Sequence, residues 1–109
     1  MLAQTRKMVI KSQLLLEKAM VSLSEESQIE LYDLAFSRAE LMGALVMLDY
    51  AERDAPVKET ALKESLALMF SAESVSNFHH RLRLRPTSYG LTLDDLGDDY
   101  VELSEKYLA

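Results

Sequence analysis

Cysteine is absent from the 109-residue chain, and so is tryptophan. Without cysteine the protein has no disulfide framework, no thiolate metal site and no cysteine nucleophile. A chain that needs no disulfides suits a reducing compartment, so the sequence favours a cytoplasmic location. Stability must come from a packed core, and hydrophobic residues, at 49% of the chain, are numerous enough to build one.

Glycine and proline are also scarce, with three and two residues respectively. A mostly-β protein needs a turn every ~8–12 residues, and so few turn-forming residues cannot supply them. The scarcity predicts few, long elements instead. We therefore predict an all-α fold: a single helical domain over residues 1–109, in which three long helices and a short C-terminal helix form a bundle.

Long apolar runs are missing as well. Charged residues interrupt the apolar runs near the N-terminus, which argues against a signal peptide or a membrane anchor. The longest uncharged stretch of the central segment, Leu41 to Leu48, is far shorter than the ~20 residues that cross a bilayer. We expect no membrane association.

Four helical segments follow from the spacing of apolar residues and from residues that start or stop helices. Ser22, with Glu25 three residues later, has the form of a capping box, and Thr92 marks a later helix start. Pro86 ends the third helix, because the residue before a proline avoids the helical conformation. The predicted helices cover residues 3–21, 25–52, 56–84 and 93–108.

The second predicted helix is apolar on two faces. One face consists of Ile29, Tyr32, Phe36, Ala39, Gly43, Val46 and Tyr50, and the other of Leu31, Leu34, Leu41, Leu45 and Leu48. A helix that is apolar on more than one face is buried on more than one side. It is therefore predicted to be the central helix or to lie at an oligomer interface. A homodimer is expected, since a narrow bundle of helices ~40 Å long would expose much apolar surface.

The net charge of −6 is distributed in bands. Successive segments are basic, acidic, nearly neutral, basic and acidic, over residues 1–23, 24–55, 56–78, 79–92 and 93–109. Such bands either neutralise one another within the fold or steer a charged partner. Neutralisation within the fold is the simpler interpretation, and the functional alternative is a charged face that docks on a partner.

Candidate metal ligands are few. His79 and His80 are the only histidines, and adjacent residues on a helix point about 100° apart, so the two cannot bind one metal ion. The spacing favours His79 at the edge of the core and His80 on the surface. The acidic segment 94–105 has the length of a calcium loop, but Leu96 and Asp99 stand where an oxygen ligand and a glycine are needed. We expect no metal and no cofactor.

Enzyme motifs are missing too: the chain contains no GxSxG elbow, no P-loop and no GxGxxG fingerprint. The protein is therefore predicted not to be an enzyme. The first functional hypothesis is a helical protein–protein interaction module, which acts as a regulator, adaptor, chaperone or inhibitor of another protein. Charged residues of the second half are expected to contact that partner: Arg81, Arg83, Arg85, Asp94, Asp95, Asp98 and Asp99.

An alternative hypothesis rests on residues 65–82, which read SLALMFSAESVSNFHHRL. In the spacing of its small and apolar residues this segment is similar to the helix-turn-helix of bacterial regulators. The resemblance implies a small DNA-binding transcriptional regulator with this motif around residues 58–85. Side chains at the start of its second helix would face base edges, namely Ser74, Ser76 and Asn77. Four basic residues would contact phosphates: His80, Arg81, Arg83 and Arg85. The other interpretation is one unbroken helix through Ser71.

The end of the third helix also has two interpretations. Residues 81–85 read RLRLR, and residues 91–93 echo this alternation after a five-residue turn. Strict alternation on both sides of a turn is typical of a β-hairpin. A short hairpin is therefore an alternative to a helix end followed by a turn.

Overall fold

The residues that the structure describes form helices joined by short turns, without a strand. The structure is a computed structural model, and it describes residues 1–53 and 57–108, except the side chains of 57, 58 and 93. These ranges contain α1 (Leu2–Val21), α2 (Gln28–Glu52), α3 (Val57–Leu84), a 3₁₀ turn (Pro86–Tyr89), α4 (Leu93–Leu96) and α5 (Asp99–Leu108). The predicted all-α fold is confirmed. None of the described helices is long and apolar enough to cross a membrane.

The bounds of α1 and α3 agree with the sequence prediction to within one residue. Residues 81–84 belong to α3, and the described ranges contain no strand, so the alternative hairpin is not formed. The helical conformation buries Leu82 completely. It also brings the Arg81 guanidinium to Glu40 of α2, at 2.6 Å. The burial of Leu82 and the contact between Arg81 and Glu40 explain why the helix continues despite the alternating sequence.

The predicted start of the second helix is wrong by three residues. α2 begins at Gln28, its N-cap is Ser27, and no side-chain hydrogen bond caps it. Ser22 is instead the C-cap residue of α1, and its Oγ atom lies 2.7 Å from the carbonyl oxygen of Tyr89. Because Ser22 ends α1 and contacts the distant turn, it does not form the predicted capping box with Glu25.

The predicted last helix is divided in two. Gly97, with φ +64°, separates α4 from α5. Leu96 and Tyr100, on either side of this break, are both buried. The Nη2 atom of Arg83 donates to the carbonyl oxygen of Gly97 at 2.6 Å. The break therefore occurs where glycine allows a positive φ and where α3 supplies a hydrogen-bond donor.

α2 and α3 pack in antiparallel orientation, with α1 against both of them and α4 and α5 against α3. The antiparallel orientation is evident from two contacts: Glu40 pairs with Arg81, and the Tyr50 ring lies under the ammonium group of Lys63. The fold measures 50 × 24 × 18 Å. Its core contains side chains from every long helix and from the C-terminal segment: Val9, Leu16, Leu34, Leu41, Leu48, Val75, Phe78, Leu82, Tyr89, Leu91 and Leu96.

Only one apolar face of α2 is buried. Leu34, Leu41 and Leu48 are at most 1% exposed, which confirms the leucine face as a core surface. The opposite face points outward, and its Tyr32 and Val46 are 69% and 66% exposed. Burial of α2 on both sides within one chain is therefore wrong. α1 and α3 cover the leucine face, and α3 reaches only the edge of the second face, at Phe36 and Gly43. For the second face, the predicted oligomer interface remains the untested alternative.

The turn between α3 and α4 depends on Gly90, which gives a prediction. Its φ is +67°, and a Cβ atom there would lie 2.8 Å from the Cβ atom of Ser22. Gly90→Ala should therefore lower the free energy of unfolding by about 1–2 kcal/mol for the left-handed backbone, and further because of the clash. In a Ser22→Gly background the clash disappears, so the cost should fall to the backbone contribution. Urea unfolding of the four proteins measures this double-mutant cycle, and equal costs in both backgrounds would contradict it.

Candidate functional site

Two arginines near the end of α3 tie this helix to α2. Arg81 Nη1 donates to Glu40 Oε1 at 2.6 Å and to Ser37 Oγ at 2.8 Å. Arg85 Nη1 lies 3.6 Å from the carboxylate of Glu30. The Arg81 contact is the better sheltered, since the arginine and glutamate side chains are only 26% and 19% exposed. Both arginines were predicted to contact a partner, and in the fold both have acidic neighbours.

The third arginine, Arg83, ties α3 to the segment between α4 and α5. Besides its hydrogen bond to the Gly97 carbonyl, its Nη2 atom donates to Asp98 Oδ1 at 3.2 Å. Its guanidinium carbon also lies 5.3 Å from the centre of the Tyr100 ring, a cation–π distance. Arg83 therefore holds the start of α5 through three different interactions.

The acidic residues of α4 and α5 face lysines of α1. Lys18 Nζ donates to Asp95 Oδ1 at 3.3 Å, and Lys11 forms an ion pair with Asp99. Thr92, the predicted helix start, is confirmed as the N-cap of α4, and Asp95 forms a capping box with it. The backbone N–H of Thr92 and the Lys18 ammonium lower the pKa of Asp95. The hydrogen bond from Lys11 lowers the pKa of Asp99.

We call the predicted partner-binding residues the charged junction: Arg81, Arg83, Arg85, Asp94, Asp95, Asp98 and Asp99. The structure brings only Arg83 to one of these acids, since Arg81 and Arg85 contact α2 and the ion pairs of Asp95 and Asp99 are with α1. Six of the seven contact an opposite charge among the described residues. The charge bands therefore neutralise one another, as the simpler interpretation held. The side chain of Asp98 is still 90% exposed and that of Arg85 45%. Contact with a partner stays a prediction.

The residues of the alternative DNA-binding hypothesis do not form a helix-turn-helix in this fold. α3 is continuous from Val57 to Leu84, so the turn that the motif requires at Ser71 is absent. Ser74 and Ser76 are only 1% and 8% exposed, and Asn77 is hydrogen-bonded to α2. His80 is exposed, and the three arginines have the contacts described above. The helix continues because buried residues keep the helical spacing through this segment: Ala67, Ser71, Ser74, Val75 and Phe78.

His79 is buried between α3 and α5, at 4% exposed, which confirms its predicted place near the core. Its ring stacks on Tyr100, with centroids 4.4 Å apart and planes 7° apart. The edge of the Phe78 ring approaches it from the same helix. Burial, assisted by the positive charges of Arg83 and Lys11, lowers the pKa of His79 to about 4. The imidazole is therefore neutral at neutral pH.

Metal binding finds no support in the described part of the chain. No three histidine or acidic residues there are grouped closely enough to hold an ion. Residues 94–105, which have the length of a calcium loop, fold into α4 and the first part of α5. The loop geometry that calcium requires is therefore not present in that segment.

A cavity of about 220 Å³ lies beside His79, between α1 and the α4–α5 segment. Ser12, Lys11 and Lys18 of α1 are among its lining residues. The sequence analysis did not single these residues out. A partial signal was available: Lys11 and Lys18 are seven residues apart and therefore share one face of α1. Asp95 and Asp99 are four residues apart but lie on different helices, α4 and α5. Nothing local indicated that these lysines and aspartates meet.

The second candidate surface is the uncovered side of the α2–α3 pair, which we call the outer face. It consists of Tyr32, Phe36, Ala39, Gly43, Val46 and Tyr50 of α2 and of Leu62, Leu66 and Met69 of α3. Its seven large side chains are each at least 50% exposed. The two helices approach closely at Gly43, where a Cβ atom would lie 3.4 Å from the Phe70 ring. The outer face is therefore a broad apolar surface on two closely packed helices.

Comparison with known proteins adds no assignment. No protein-family model matches the chain, and the searches found no matching curated protein and no matching solved structure.

The neutral state of His79 predicts a dependence of stability on pH. Because its pKa is lowered from 6.5 to about 4 in the folded protein, the unfolded chain binds the proton more readily between these values. The contribution of neutral His79 to the free energy of unfolding is complete above about pH 6.5. As the pH falls toward 4, this contribution is lost, and the free energy of unfolding falls by on the order of 2 kcal/mol. Urea unfolding from about pH 7 to about pH 4.5 should show a smaller loss for His79→Phe than for the wild type.

The two aspartates with lowered pKa values, Asp95 and Asp99, do not obscure this measurement. Since the pKa values of Asp95 and Asp99 are lowered from 3.8, the stabilisation they provide is present above that value. It is lost only at lower pH, outside the range in which His79 acts. The same pH dependence in the wild type and in His79→Phe would contradict the prediction.

Proposed function

We propose that this protein is a non-catalytic helical interaction module that forms a homodimer and acts in the cytoplasm as a regulator, adaptor, chaperone or inhibitor of another protein. The observation that carries the proposal is the outer face. Large contiguous apolar surfaces on soluble proteins mark interaction sites, because leaving them in water is unfavourable. Met69 adds an adaptable side chain to this surface, at 50% exposed.

The size of the outer face suits a protein partner. Seven large side chains each expose half or more of their surface. At on the order of 100 Å² each they offer roughly 700 Å², close to the ~800 Å² that each partner buries in a standard interface. This area suffices for a stable contact when the α3 residues Leu62, Leu66 and Met69 take part together with those of α2.

The pattern of side-chain sizes along α2 favours a second copy of the chain as the occupant. The outer face has large residues at 32 and 36, small ones at 39 and 43, and large ones at 46 and 50. This order is the same when read in either direction from residue 41. A two-fold interface needs such a pattern, because residue i contacts residue j and residue j contacts residue i.

Antiparallel packing of two α2 helices about residue 41 uses this symmetry. It places Tyr32 opposite Tyr50 of the second copy, and Phe36 opposite its Val46. Ala39 then lies opposite Gly43, beside which the Phe70 ring of the same chain packs, so this ring would border the interface. None of the six α2 positions carries a charged residue, so two chains of net charge −6 can meet there without placing like charges in contact.

The first test of the proposal is a charge placed on the outer face. Val46→Asp puts a carboxylate into the proposed interface and should convert a dimer into a monomer, because burial of an unpaired charge is strongly unfavourable. Val21→Asp is the matched control, since Val21 is also an exposed valine, at 86%, but lies at the end of α1. Light scattering at micromolar concentration distinguishes the two species. A monomeric wild type, or a dimeric Val46→Asp variant, would refute the proposed dimer.

Disulfide trapping tests the antiparallel geometry of this dimer. The chain has no cysteine, so single Phe36→Cys and Val46→Cys variants each carry one thiol. Oxidation of their mixture should give a cross-linked heterodimer. Each variant alone should not cross-link, because equivalent residues lie about 15 Å apart along the axis, beyond the span of a disulfide. Cross-linking of Phe36→Cys with itself would indicate a parallel arrangement and contradict the geometry.

For the second protein we propose contact at the charged junction, where Asp94 and Asp98 are exposed. The side chain of Asp98 is 90% exposed, whereas that of Arg83, its partner in the ion pair, is 30% exposed. These carboxylates suit a basic surface on the partner. Affinity capture from the native cell should recover the same protein with the wild type and with Glu73→Gln, because Glu73 is an exposed acid on a different helix, α3. An Asp94→Asn, Asp98→Asn variant should lose it, and its retention would argue against this contact.

A further inference from the structure

The C-terminal helix α5 is docked through fewer buried residues than α1 or α2. Of its ten residues only Tyr100 is buried, and Leu103 packs partly against the core. By contrast, α1 and α2 bury five and six residues respectively. A helix of about ten residues is only marginally stable in water by itself. α5 is therefore helical because it is docked, and it contributes little to the core that the three long helices form.

The remaining contacts of α5 lie at its N-terminal end and are mostly exposed ion pairs. Lys11 of α1 pairs with Asp99, and both side chains are more than half exposed. Arg83 of α3 pairs with the exposed Asp98, directly before the helix. Water and salt screen such pairs, so they contribute little to docking. α5 is therefore held chiefly by the burial of the Tyr100 ring.

A hinge for undocking lies two residues before α5, at Gly97. Its backbone has φ 64° and ψ 178°, a combination that essentially only glycine adopts. No atom of a more distant residue lies within 4 Å of the position that a Cβ atom would occupy there. Residues before the hinge stay anchored through Leu91 and Leu96, which are both buried. A rotation at Gly97 would therefore move α5 without moving Leu91 or Leu96.

Tyr100 of α5 covers His79 of α3. The two rings are stacked, with centroids 4.4 Å apart. Next to them, Met8 of α1 also faces α5, since it lies in both of the clefts that separate the two helices. Undocking of α5 would remove the cover from His79 and from this part of α1.

The surroundings of His79 make the docked state sensitive to acid. Charged and titratable groups lie around it on each helix packed there: Lys11 and Lys18 of α1, His80 and Arg83 of its own helix, Asp95 of α4, and Asp99 and Tyr100 of α5. Burial, with the positive charges of Arg83 and Lys11, lowers the pKa of His79 to about 4. A solvated imidazole has a pKa near 6.5. Protonation therefore favours a state in which α5 no longer covers the ring.

We propose that α5 is a detachable strap, which undocks from α1 and α3 at Gly97 while the three long helices stay folded, and that acid favours the undocked state. The strap controls access to the surface between α1 and α3. This inference does not depend on the proposed dimer, because α5 contributes no residue to the outer face.

Amide hydrogen exchange of the wild type, measured by NMR and corrected for the intrinsic exchange rate at each pH, tests the strap without a substitution. Opening constants of the α5 amides from Leu103 to Lys106 should exceed that of Leu41 in α2 by on the order of 100-fold, because α5 opens without global unfolding. Between pH 7 and pH 5 the α5 opening constants should rise about 20-fold, as follows from the pKa of about 4 in the docked state and about 6.5 in the open state.

Two histidine variants distinguish undocking from fraying of the chain end. His79→Phe should abolish most of the rise between pH 7 and pH 5, because the ring under Tyr100 no longer binds a proton. His80→Gln is the matched control, since His80 is the adjacent histidine and is exposed. It should preserve the rise. Fraying that leaves His79 covered would give no such rise in any of the three proteins.

A third variant tests the hinge. Gly97→Ala should raise the α5 opening constants by about tenfold or more, because alanine disfavours the backbone conformation of the docked state. An unchanged opening constant in Gly97→Ala would contradict a hinge at this residue.

Two further outcomes would overturn the proposal. The first is an equal opening constant for the α5 amides and Leu41, which would mean that α5 opens only when the whole chain unfolds. The second is the same pH dependence in the wild type and in His79→Phe. The comparison of α5 with Leu41 in the wild type decides the question even if His79→Phe fails to fold.

Discussion

Burial of the leucine face of α2 is the interaction on which the rest of the fold depends. Leu34, Leu41 and Leu48 are almost completely inaccessible, and both α1 and α3 pack against the helix that carries them. A helix that is apolar on two faces needs neighbours on two sides. The described helices supply neighbours on one side only, so the aromatic face is left as the outer face. The packing that buries the leucine face therefore also leaves the outer face exposed.

The ion pairs have a different role from the core. They join helices whose charges come from opposite bands: Arg6 to Asp49 and Glu52, Lys11 to Asp99, and Arg81 to Glu40. Pairs at the surface contribute only ~0–1 kcal/mol each, because water and salt screen them. Their positions along the helices nevertheless favour one orientation of α1, α3 and α5 over others. The charge bands therefore specify the arrangement more than they stabilise it.

The two candidate surfaces differ in character. The outer face is apolar and uncovered, so the proposed dimer would remove it from water. The cavity beside His79 is partly open to solvent, and its wall combines apolar side chains with the Lys11–Asp99 and Lys18–Asp95 ion pairs. The two surfaces share no residue.

The sequence by itself determined the helical class, the bounds of α1 and α3 and the existence of two apolar faces on α2. These follow from local properties, namely the scarcity of glycine and proline and the spacing of apolar residues. Only the tertiary structure decided which face of α2 is buried and that α3 passes unbroken through Ser71. It alone brought Ser12 beside His79 and the lysines of α1 to the acids of α4 and α5. The physical reason is that these outcomes depend on contacts between residues far apart in the chain, which local propensity does not encode.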